Sequence, residues 1–110
     1  ILELFYERPS YTGLVYPVEK YFPTWVMDES SEIVQKTVNT YKEVFGEEPF
    51  VDKWTFSTNG IATAGVFAIP TVGFGPANEI FAHSPDDQCP VDHLVKAAAM
   101  YALLPLRLSQ

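Results

Sequence analysis

Residues 51–57 read as a strand, Ser57-Thr58-Asn59-Gly60 as a tight loop, residues 61–67 as a short helix and residues 69–74 as a second, nearly all-apolar strand. Strand, helix and strand in so short a span predict a right-handed crossover between two strands of a buried, largely parallel sheet. The expected fold class is therefore α/β, a largely parallel sheet flanked by helices. Hydrophobic residues make up 47% of the chain and charged residues 19%, a balance that favours one globular unit over disorder. A length of 110 residues suits a single core and excludes a second complete domain.

The flanking segments fit that plan. Ile33, Val34, Val38, Tyr41, Val44 and Phe45 gather on one face of a helix over residues 32–45. Asp28 or Ser30 is expected to cap its N-terminus, Glu29 and Glu32 complement the dipole there, and Gly46 offers the left-handed residue that ends it, with Pro49 beyond. A last helix is expected to begin around residues 90–92, to set Leu94, Val95, Ala98, Tyr101 and Ala102 against the sheet, and to carry Pro105 near its end. Residues 1–6 have strand composition, and no partner strand is expected directly after them. Arg8-Pro9-Ser10-Tyr11-Thr12-Gly13 ends the run, and residues 14–27, with Pro17 and Pro23 among Tyr16, Tyr21, Phe22 and Trp25, suit an extended connector.

Seven Lys and Arg against 14 Asp and Glu give a formal charge of −7, the wrong sign for a phosphate-backbone binder, so no nucleic-acid partner is expected. No stretch reaches the ~18–20 uninterrupted apolar residues of a membrane helix, and no membrane partner is expected. Cys89 is the single cysteine; it excludes an internal disulfide and a cysteine zinc cluster, and makes a reducing, cytoplasmic setting the expectation. The sequence opens at Ile1 with no signal core, so the chain is expected to be a piece of a longer protein.

Four places carry candidate chemistry. Ser57-Thr58-Asn59-Gly60 sits where strand gives way to helix, so hydroxyls and free N–H groups can converge on an anion; an ordinary helix cap is the alternative. Gly73-Phe74-Gly75-Pro76-Ala77-Asn78 follows a buried strand at the end where open α/β sheets bind ligands, and its small residues allow close approach of substrate; a plain turn is the alternative. His83, in Phe81-Ala82-His83-Ser84-Pro85-Asp86-Asp87, can stand at the edge of a cleft as a metal ligand or serve as a surface group. Cys89 reads as a buried or half-buried packing residue rather than a ligand or nucleophile. His93, beside Asp92 in the first turn of the last helix, reads as surface. The sequence has no Gly-x-Ser-x-Gly elbow and no Gly-rich phosphate loop with a Lys.

Taken in order, four stretches resemble the C-terminal part of the co-catalytic zinc metallopeptidases. They are Trp54-Thr55-Phe56-Ser57-Thr58-Asn59-Gly60, Ile69-Pro70-Thr71-Val72-Gly73-Phe74-Gly75-Pro76, Ala82-His83-Ser84-Pro85-Asp86-Asp87, and the helix from Val91 through Leu94 to Tyr101-Ala102. That family includes acetylornithine deacetylase, succinyl-diaminopimelate desuccinylase, aminoacylase and glutamate carboxypeptidase. The most similar branch is that of hydrolases assigned to selenium metabolism, in which a stretch like Arg8-Pro9-Ser10-Tyr11-Thr12-Gly13 also occurs.

The resemblance implies a fragment of a zinc-exopeptidase-like catalytic domain, with residues 1–13 the end of an inserted lid and dimerisation domain and residues 14–110 the C-terminal part of the catalytic domain. It implies two zinc ions in the complete protein, with cobalt or manganese as alternatives, a homodimer, and hydrolysis of an amide bond in an N-acyl amino acid, small peptide or carbamoyl-type substrate. Of the family's metal ligands only the C-terminal histidine maps here, onto His83. The His-x-Asp motif, the bridging Asp, the paired glutamates and the remaining carboxylate ligand have no counterpart. They are expected in the missing N-terminal part of the catalytic domain, and the chain alone is expected to be inactive. Ser57, Thr58, Asn59, Gly60, Gly75, Pro76 and Ala77 are implied to line the substrate-carboxylate side, and Asp86 and Asp87 to orient the metal-binding imidazole. The family commonly has Gly-Pro-Gly where this chain has Gly75-Pro76-Ala77, and Glu where it has Asp87. The competing reading is a non-catalytic carboxylate-binding or assembly module that uses the same cleft without metal.

Overall fold

The computed structural model describes residues 5–110. The amphipathic helix is present as α1 (Glu32–Phe45), ended by Gly46 at φ 71°, whose N–H donates to the Lys42 carbonyl at 2.8 Å. Its N-terminus differs from expectation. The cap position is Ser31, which makes no side-chain cap bond, because Asp28 Oδ1 instead accepts from Ser30 N at 2.8 Å and Ser30 Oγ at 2.6 Å in a turn that precedes the helix. Those bonds hold the Asp28 carboxyl below its ordinary range.

The last helix is α2 (Val91–Leu108), with Ala97 and Met100 buried. It packs on α1, where Val34 and Thr40 are buried, and the Thr40 hydroxyl satisfies itself by donating to the Lys36 carbonyl at 2.7 Å. Arg107 closes the contact with a fork onto Glu43, Nε to Oε2 at 2.9 Å and Nη2 to Oε1 at 2.6 Å. Leu94, Val95 and Tyr101, expected to face a sheet, are exposed. α2 is apolar around more than one face, and among the described residues its buried side chains lie toward α1.

The sheet is the main departure. Among the described residues it consists of two short strands, β1 (Phe5–Tyr6) and β2 (Val18–Glu19), antiparallel, with Phe5 opposite Glu19 and Tyr6 opposite Val18. A partner therefore does follow the first strand. Ser10 N donates to Leu14 O at 2.9 Å, Gly13 N donates to Ser10 O at 2.9 Å, and Gly13 takes φ 82°, so the chain turns back at residues 10–13. Pro9 and Pro17 suggested a break, but proline is tolerated at the edge of a narrow ribbon. Residues 1–4 of the expected strand lie outside the described residues.

Residues 51–57 and 69–74 form no ladder with each other, and the largely parallel sheet is absent among the described residues. Strand composition makes a segment competent to pair, but a ladder also needs a neighbour's N–H and C=O groups. Side chains serve residues 69–74 instead. Trp25 Nε1 donates to Thr71 O at 3.1 Å and Tyr101 Oη donates to Phe74 O at 2.5 Å. The short helix expected at residues 61–67 is a π-helical turn, Ile61–Val66.

Nor is there a single large core among the described residues. The radius of gyration is 17.6 Å, against ~13 Å for a compact domain of this length. The accessible surface is 8871 Å², against ~6,100 Å² for a folded monomer of this mass. Among the described residues the buried apolar side chains are Val34, Ala97 and Met100. No described helix is long and apolar enough to cross a membrane.

Met100→Ala is expected to cost about 2–4 kcal/mol and to reduce the helical signal. Val95→Ala, at a site 67% exposed, should change stability by less than about 0.5 kcal/mol. Urea unfolding followed by circular dichroism measures both. Hydrogen bonding from Arg107 holds the Glu43 carboxyl below its ordinary value of 4.5. A carboxyl depressed on folding stabilises the fold above its unfolded pKa and loses that contribution as pH falls through the folded value. The α1–α2 contact should thus weaken modestly on acidification below about pH 4.5, and Glu43→Gln should flatten this part of the urea-midpoint profile.

Candidate functional site

Trp54 divides the region that carries the candidate residues. On one side a cleft of about 220 Å³ is walled by Trp54, Phe56, Gly75, Pro76 and Ala77, with Asn78, Glu79, Ala82 and Asp87 at its margin. On the other, a more open hollow of about 530 Å³ is formed by Trp25, Trp54 and Tyr101 with Thr58, Asn59, Gly60 and residues 71–74. The two stretches expected to line one substrate site therefore line two different hollows that share Trp54. Ser57 is exposed and lines neither hollow.

The glycines explain how the indoles reach these places. A Cβ at Gly60 would collide with the Trp25 ring, and one at Gly73 with the Trp54 ring, so each glycine supplies the flat bed on which a ring lies. Trp54 also stacks on Phe56, 5.3 Å between centroids and 13° between planes. In the loop at residues 57–60, Thr58 Oγ1 accepts from Gly60 N at 3.1 Å and Thr58 O accepts from Ile61 N at 3.1 Å. Two N–H groups that could face an anion are thus spent within the loop, as in an ordinary cap.

Across Trp54, Ala77 takes φ 76°, the left-handed conformation that glycine adopts freely. This is a physical reason for the glycine that the resemblance implies at this position. Ala77 N donates to His93 Nδ1 at 3.3 Å, so His93 is half-buried and engaged, not a surface group. No periodicity marks that role, since the partner is 16 residues away. Trp25, Trp54 and Tyr101 stood out in the sequence only as packing or family-like residues; their place around the larger hollow was not marked, because a tryptophan and the glycine it covers carry no shared local pattern.

His83 also has a left-handed backbone, φ 61°, and an exposed side chain; histidine is among the residues enriched there. The loop is held without it. Ser84 Oγ donates to Phe81 O at 2.7 Å, Asp86 N donates to Ser84 Oγ at 3.2 Å, and Asp87 N donates to Ser84 O at 3.2 Å. Among the described residues no hydrogen bond joins the imidazole to Asp86 or Asp87, and its ring nitrogens are free to coordinate. No three His, Cys, Asp or Glu side chains gather as a metal site among the described residues. The residues present fit one ligand of a metal shell and not a whole shell. Cys89, expected to pack, is exposed.

A family model described as peptidase family M20/M25/M40 matches residues 14–107. The chain belongs to this family. Its members are generally metal-dependent peptidases, and membership implies an α/β peptidase fold. The chain is 54% identical over 101 residues to the protein described as "Uncharacterized protein YgeY" of Escherichia coli K12, and equally to that of Escherichia coli O157:H7. Each alignment covers 92% of this chain and 25% of the relative, so the chain spans about a quarter of the length of the curated relatives it matches. No solved structure matches it.

Gly60→Ala should expel the Trp25 indole and break its bond to Thr71, at a cost of about 1–3 kcal/mol. The expected signature is red-shifted tryptophan emission with a lowered unfolding midpoint.

Proposed function

We propose that residues 14–110 are the C-terminal part of the catalytic domain of a zinc-dependent amidohydrolase or peptidase, and residues 1–13 the end of its inserted lid and dimerisation domain. The natural-length protein is a cytoplasmic homodimer that hydrolyses an amide bond in an N-acyl amino acid or short peptide. The observation that carries this reading is the family match over residues 14–107, which includes a histidine free to coordinate on the loop beside a cleft.

Bound zinc, or cobalt or manganese in its place, supplies Lewis acidity and an activated water. His83 would hold it through one ring nitrogen, while Asp86 or Asp87 would accept a bond from the other and aim the ring. The remaining ligands and the general base belong to the part of the relatives' length outside this match. Within this chain, Gly75, Pro76 and Ala77 form the wall along which substrate lies, and Trp54 and Phe56 keep water from its far side. Thr58, Asn59 and Gly60 line the larger hollow and would meet only a substrate that extends into it, whereas Ser57 lines neither. The cleft margin carries Glu79 and Asp87 and no Lys or Arg among the described residues. A substrate carboxylate therefore needs a cation from another segment.

His83→Ala in the natural-length protein should weaken one metal site by at least ~10-fold and depress turnover of N-acetyl amino acids, while the fold persists because an exposed loop residue carries little packing. Elemental analysis beside hydrolysis assays checks this. Unchanged metal content and rate would favour the non-catalytic binding module.

A further inference from the structure

We propose that His93 is a positioning residue. Together with Tyr101 it lets α2 clamp residues 74–77, and its imidazole sets the conformation of the turn that walls the smaller cleft. The two bonds grip the turn at its two ends. Tyr101 Oη donates to the Phe74 carbonyl at 2.5 Å, and His93 Nδ1 accepts the Ala77 N–H at 3.3 Å. Between them lie Gly75 and Pro76, which leave little else to hold the turn, since proline has no N–H to donate.

Both anchoring side chains come from one helix, and that helix is itself fixed on α1 through the buried Ala97 and Met100, which lie between residues 93 and 101 in sequence. The clamp is therefore tied to the firmest part of the fold. Its target needs it. Ala77 is held at φ 76°, where a Cβ is disfavoured, and an isolated alanine would leave that region. The bond also defines the ring: Nδ1 accepts, so a neutral imidazole carries its proton on Nε2. The role of this turn in binding substrate rests on the function proposed above, whereas the clamp itself does not.

The test uses the natural-length protein labelled with ¹⁵N-alanine. In His93→Ala the Ala77 amide should exchange with solvent about 10-fold faster. In His93→Asn, whose Oδ1 can occupy the place of Nδ1 as acceptor, exchange should return to near the parent rate. Unchanged exchange in His93→Ala, or equally fast exchange in His93→Asn, overturns the clamp. Kinetics on N-acetyl amino acids supply the second readout: KM should rise several-fold in His93→Ala with kcat little altered, and recover in His93→Asn. A fall in kcat at constant KM overturns the positioning role. Failure of the parent protein to hydrolyse any of these substrates overturns the proposed function, and the exchange measurement still decides the clamp.

Discussion

The α1–α2 contact closes Met100 and Ala97 away from solvent with Val34 on the facing helix, and the segment at residues 74–77 is attached to it. Tyr101 of α2 meets Phe74 edge-on at 5.9 Å, and Phe74 in turn meets Tyr41 of α1 at 6.3 Å. A line of rings thus carries the position of the helices to the segment before the cleft. From the same helix, Tyr101 and His93 fix residues 74 and 77 by hydrogen bonds. Losing the helix contact would release both ends of the cleft wall, although neither helix lines the smaller cleft.

Around this nucleus the chain stays open. Its accessible surface exceeds that of a closed domain of its mass, and large apolar side chains such as Phe50, Val26 and Tyr11 are exposed. Membership of the peptidase family and a span of about a quarter of the relatives' length give that surface a context. Helix faces and an apolar segment at residues 69–74 carry surface that the described residues do not cover. The same consideration bears on the metal site. If the imidazole of His83 coordinates as proposed, it is one contribution to a shell, and the rest must come from groups on other segments.

Some of this was legible in the sequence. The bounds of α1 follow from a one-faced apolar stripe and from Gly46, whose left-handed stop is a local matter. The start of α2 after Pro90 is equally local. That residues 51–57 and 69–74 form no ladder among the described residues was not legible, because composition reports whether a segment can pair and not whether a neighbour is present. The hairpin at residues 5–19 was hidden by prolines that an edge tolerates. His93 illustrates the limit at the site itself. Its helix-terminal setting argued for an idle surface group, and only the tertiary placement of Ala77 gives its Nδ1 a donor. Ala77 shows the reverse, since its departure from glycine was visible as a resemblance and the positive φ supplies the physical reason that the position matters.

The central claim is that the imidazole of His83 is one ligand of a resident metal ion in a peptidase of this family. Diffraction from the zinc-loaded natural-length protein on either side of the zinc absorption edge tests it directly. The account predicts an anomalous peak ~2.0–2.1 Å from a ring nitrogen of His83. A zinc peak elsewhere, with no anomalous density within ligand distance of that ring, would contradict it.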